Sequence, residues 1–70
     1  MSGLIIVPIT VNDEVLHAIV TDHRYYPDSE SVELLAGYMA EPGKDFHRLM
    51  KSKELRAAVK AGVVNWYDSI

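Results

Sequence analysis

The chain has no cysteine, so no disulfide framework and no thiolate-ligated metal can supplement its core. It also lacks a glycine-rich phosphate loop, a Gly-x-Ser-x-Gly elbow and a His-Glu-x-x-His pair. Those absences remove the short motifs that cradle a nucleotide, present a serine nucleophile or bind a catalytic zinc. Its longest apolar run, Leu4 to Ile9, is far too short to cross a bilayer. No basic stretch precedes that run and no small-residue cleavage site follows it, so a soluble, cytoplasmic protein without a secretory signal is expected. Cations are scarce in the first half. From Met1 to Gly43 there is one, Arg24, against seven acids (Asp13, Glu14, Asp22, Asp28, Glu30, Glu33 and Glu41), a net −6. From Lys44 to Ile70 six cations face three acids, a net +3, and the two halves recover the −3 of the whole chain. Such a division implies a basic and an acidic surface, each able to meet a partner of opposite sign, including a second copy of the chain.

What is present is a compact apolar inventory. With 70 residues, 49% of them hydrophobic, the sequence belongs with globular chains and forms a single domain over 1–70, because a chain this short cannot bury two cores. A core of that size contributes only a few kcal/mol. With disulfides excluded, oligomerisation is the supplement to expect, and a homodimer is its simplest form.

Leu4 to Val11 and Glu14 to Thr21 are rich in Ile and Val, with Asn12-Asp13 between them, which predicts an antiparallel β-hairpin with a two-residue turn. Pairing Val11 with Glu14 sets Ile9 opposite Leu16, Val7 opposite Ala18 and Ile5 opposite Val20, so one face is wholly apolar and belongs in the core. The other face carries Leu4, Ile6, Pro8, Thr10, Val15, His17, Ile19 and Thr21, more apolar than a solvated face requires. Ile6, Val15, His17 and Ile19 are therefore the expected dimer interface. Pro8 cannot donate a ladder hydrogen bond, so its strand is expected at a sheet edge or with Pro8 on the unpaired side.

Asp22 to Asp28 shows no alternation and reads as a loop. Asp28 or Ser29 can cap a helix running to about Ala40, with Val32, Leu35, Ala36 and Met39 on one face. Glu41-Pro42-Gly43 predicts a turn. Lys44 to Lys51 and Lys53 to Ala61 read as two short helices separated at a Ser52 cap, with Gly62 ending the second. Val63 to Tyr67 reads as a short third strand beside the hairpin in preference to a packed tail, with Trp66 as a core anchor. The expected class is α+β, ordered ββααα or ββααβ.

Three constellations are candidates for function. The run Arg24, Tyr25, Tyr26 in the expected loop has the composition of a protein-binding hot spot. Asp22, His23, Asp28 and His47 include metal-ligating types, but their spacing forces no convergence and a solvated loop accounts for them, so neither a metal nor a cofactor is expected. Arg48, Lys51, Lys53, Arg56 and Lys60 could follow phosphates, although the acidic whole and the lack of residues suited to base edges oppose a nucleic-acid partner. The sequence thus points to a non-enzymatic interaction domain that binds and modulates a larger protein, as a homodimer. A small nucleic-acid-binding regulator using the basic helices is the alternative.

Overall fold

A computed structural model describes residues 3–40 and 45–70. The chain is α+β, in the order β1 (Ile5–Val11), β2 (Glu14–Tyr26), β3 (Ser31–Met39), α1 (Phe46–Leu49) and α2 (Lys53–Asp68). The strands form one antiparallel sheet in the order β1-β2-β3. The helices cover one of its faces.

The first hairpin follows the expected register from Val11 opposite Glu14 to Ile5 opposite Val20. Asn12 (φ 52°) and Asp13 (φ 63°) both sit in the left-handed region, as the tight turn that matches strand twist requires and as Asn and Asp tolerate. β1 is an edge strand. The pair closing a two-residue turn is hydrogen-bonded, so alternate residues of β1, Ile6, Pro8 and Thr10, direct their backbone groups away from β2. The His17 carbonyl opposite Pro8 accepts from the Ala40 amide, 3.0 Å away on the β3 side. Pro8 therefore sits both on an edge and on its unpaired side, where its missing donor breaks the row offered to another strand.

Beyond the hairpin the structure corrects four expectations. Asp22 to Asp28 is not a loop: β2 continues to Tyr26. The irregularity that hid this lies at Thr21, an extra residue between the Val20–Gly37 and Asp22–Ala36 pairs, matched by an extra Leu35 on β3 before the His23–Leu34 pair. These bulges reverse the inward parity of both strands together, from Ala18 and Val20 to His23 and Tyr25, so strict alternation fails in the sequence though both strands continue.

Second, the helix expected from Asp28 or Ser29 to Ala40 is strand β3. Val32, Leu34 and Met39 are buried, whereas Leu35 and Ala36, which the helical spacing placed inside, are exposed. Pro27 to Glu30 form the connecting turn, closed by the Glu30 amide on the Pro27 carbonyl at 3.3 Å, with Glu30 at φ 49°. Ser29 and Ser31 bond each other in and beside this turn at 2.7 Å and cap nothing.

Third, α2 runs through Gly62 to Asp68, so Val63 to Tyr67 are helical and no strand forms there. Gly62 is the contact point of α2 with β1: a Cβ there would overlap Val7 Cγ1. Fourth, Trp66 is not a core anchor but 36% exposed, and Tyr67 packs inward instead. Ser52 caps α2 as expected, its Oγ accepting from the Leu55 amide at 3.3 Å. The preceding helix is shorter than Lys44 to Lys51, a single turn capped by Asp45 Oδ1 on the Arg48 amide at 3.2 Å. The turn expected at Glu41-Pro42-Gly43 lies outside the described residues.

The core lies between sheet and helices. Val7, Ala18 and Val20 meet Val59 and Val63 at its centre, and Phe46 lies over Gly37, where a Cβ would come within 2.7 Å of the ring.

Candidate functional site

Among the described residues nothing covers the sheet face away from the helices. Leu4 is 60%, Ile6 54%, Val15 64% and Tyr38 46% exposed. Pro8, Thr10 and His17 are exposed beside them, and Ile19 is half-buried. The register aligns Ile6, Ile19 and Tyr38 as one row across all three strands, with Pro8 beside His17 and Thr10 beside Val15 in the next rows. The four expected interface residues, Ile6, Val15, His17 and Ile19, thus share one continuous band. Among the described residues it contains no Asp, Glu, Lys or Arg.

The trio Arg24, Tyr25, Tyr26 is split by strand alternation. β2 has 13 residues and β1 only 7, so past Val20 the sheet narrows to β2 and β3 and projects beyond the hairpin. On the open side of this projection Arg24 pairs across strands with Glu33, and the Tyr26 hydroxyl donates to Glu33 Oε2 at 3.0 Å. The Arg24 pKa is raised by its hydrogen bond and charge interaction with Tyr26 and then by the Glu33 carboxylate, so the guanidinium stays charged at the pH values at which proteins fold. Arg24 and Tyr26 are exposed, as a planar cation beside an aromatic ring must be to serve as an anchor.

Tyr25 faces the other way. It stacks on Tyr67 with ring centroids 4.2 Å apart and planes within 8°. The Tyr67 hydroxyl is hydrogen-bonded to His23 Nε2, and Trp66 meets Tyr67 edge-on at 5.0 Å. This aromatic group fastens the last turn of α2 to β2 and accounts for Tyr25 and His23 structurally. His23 Nδ1 is buried without a partner. Sequence reading missed Tyr67 as the packed aromatic, although the spacing Leu55, Val59, Val63, Tyr67 already marks one helical stripe.

Arg48 lies in α1, Lys51 in the link, and Lys53, Arg56 and Lys60 along one side of α2, all on the helix layer and away from the open face. Arg56 and Lys60 are half-buried, their stems bordering the packed stripe, and Lys60 shares a surface groove with Glu30 and Val32. Asp22, His23, Asp28 and His47 are not brought together: among the described residues no three His, Asp or Glu side chains converge. A shallow groove of about 430 Å3 runs between β1 and the end of α2, lined by Ile6, Pro8, Asn65, Trp66 and Asp68. Among the described residues no helix is long and apolar enough to cross a membrane. Comparison with protein-family models, curated proteins and solved structures gave no match.

Proposed function

We propose that this chain is a non-enzymatic protein-interaction domain that binds and modulates a larger protein partner, docking through the open side of its sheet. The observation that carries this reading is the exposed cation and tyrosine on the projecting β2–β3 end of the open face, beyond the apolar band of the three-stranded part. Side chains of this kind are enriched where proteins bind proteins. Arg24 and Tyr26 are the anchors for the larger partner, and Tyr26 is held by its hydrogen bond to the Glu33 carboxylate. Tyr25 contributes by fixing the strand from behind.

The test is capture of a defined partner from native lysate with the tagged chain, repeated with the paired substitution Arg24→Ala and Tyr26→Ala. Both residues are exposed, so circular dichroism should be unchanged while the captured protein is lost. Retention of the same protein by the double variant refutes the anchor assignment. The alternative, nucleic-acid binding through Arg48, Lys51, Lys53, Arg56 and Lys60, rests on the basic stripe of α2. It requires an affinity for duplex or single strands that falls steeply with salt. Glu30, which lines the same groove as Lys60, weighs against it.

A further inference from the structure

Resting on the reading of the open face as a docking surface, we infer that a second copy of this chain covers its apolar band. The two sheets pack face to face, with the helices outside and the Arg24–Tyr26 projections left free.

Three observations select a second copy. The first is charge. Leu4, Ile6, Pro8, Thr10, Val15, His17, Ile19 and Tyr38 include no residue that is charged at every physiological pH, whereas acids crowd both hairpin turns and bases line the helices. A twofold contact sets each patch against itself, which is tolerable only where like charges do not meet.

The second is area. Leu4, Ile6, Val15 and Tyr38, about half exposed or more, each leave on the order of 100 Å2 in water. With Pro8, Thr10, His17 and Ile19 the band comes to roughly 700 Å2, close to the roughly 800 Å2 per partner of a standard interface. Its apolar part lies at the upper end of what monomers leave uncovered.

The third is that the two edges of the three-stranded part are each interrupted, which disfavours edge pairing beside the band. Pro8 interrupts the free row of β1, and Asp45 bridges to Tyr38 along the outer side of β3. The faces remain, and two such faces stack at the usual sheet-to-sheet distance.

Sedimentation equilibrium of the full chain from low to high micromolar concentration tests this. A reversible dimer is expected, and Ile6→Glu or Val15→Glu should each raise its dissociation constant at least roughly 30-fold. Both positions are mostly exposed, so circular dichroism should be unchanged and the variants monomeric but folded. Amide exchange separates face from edge: Ile6 and Thr10, whose amides point to the free edge of β1, should exchange equally fast in monomer and dimer. A strict monomer throughout, a dimer indifferent to both substitutions, or protection of those two amides on association each overturns the inference. Loss of the dimer with capture through Arg24 and Tyr26 intact would leave the proposed function standing. A dimer with no such capture would remove the function and keep the dimer.

Discussion

Gly62 is where α2 lies closest to the sheet, and its replacement by alanine sets two effects against each other. At an interior helical position alanine is favoured over glycine by about 1 kcal/mol, so propensity alone predicts a more stable protein. The new Cβ would, however, overlap Val7 Cγ1 and come 3.9 Å from Ile9 Cγ2. Val7 is 1% exposed and has no outward path. Either it leaves its rotamer or α2 lifts from β1 and uncovers Val59 and Val63. Overpacking of this kind costs about 1–3 kcal/mol, leaving a net destabilisation of about 1 kcal/mol after the helical gain. Against a total of about 4–10 kcal/mol for a chain of this length, that is readily measured. The decisive set has four proteins. Val7→Ala alone should cost about 2–3 kcal/mol through lost burial and a cavity. In the double variant the methyl introduced by Gly62→Ala occupies part of that cavity, so the pair should be less damaging than the sum by about 1–2 kcal/mol. Urea unfolding followed by circular dichroism gives all four values, at one low chain concentration because any association would add to stability. If Gly62→Ala is stabilising by the full propensity term, or the four values add within about 0.5 kcal/mol, α2 is not seated on Val7.

Glu30→Gly should stabilise by about 0.5–1 kcal/mol, because a left-handed residue carrying a Cβ costs more than glycine's extra chain entropy. Thermal unfolding checks it, and a lower midpoint would contradict the turn at Pro27 to Glu30. Ser52→Ala should cost about 1 kcal/mol through loss of the α2 cap, whereas Ser29→Ala, in the β2–β3 turn, should stay within about 0.5 kcal/mol. Urea titration of the two side by side distinguishes a capping serine from a turn serine. Tyr67→Phe removes the hydroxyl bonded to His23, whose other nitrogen already lacks a partner, and should cost about 1–2 kcal/mol. Trp66, edge-on to Tyr67, reports this unfolding by its fluorescence, and an unchanged midpoint would mean that water replaces the hydroxyl.

The parts of the fold legible in the sequence are those fixed by near neighbours. Asn12-Asp13 can adopt left-handed backbone, and that local fact sets the turn, the register and both faces of the first hairpin. Ser52 is similar, since a side chain three residues from an amide either caps or does not. β3 was obscured because Val32, Leu35, Ala36 and Met39 satisfy helical spacing while Ser31-Val32-Glu33-Leu34 satisfies alternation. Pairing with the far end of β2 decides between them, and no window of sequence contains that pairing. Gly62 misled for a related reason: read locally it ends a helix, but in the fold it admits Val7.

The candidate site depends on the same distant pairing. The open side of the hairpin was legible, because alternation assigns Ile6, Val15, His17 and Ile19 to one face once the register is known. Division of the Arg24-Tyr25-Tyr26 run was not, because it requires β2 to outlast β1 and the bulge at Thr21 to reverse which residues face the helices. The charge division also takes a different form in space. Four of the seven acids before Gly43 fall in or beside the two hairpin turns, Asp13 and Glu14 at one end of β2 and Asp28 and Glu30 beyond the other, so most of the acidic half gathers at two ends of the sheet. The bases line the helices on the opposite side. An uncharged band is left between these charged regions, bounded by electrostatics as well as by shape: in the dimer inferred above, a copy sliding along it toward either turn would bring acid against acid, which favours the centred arrangement.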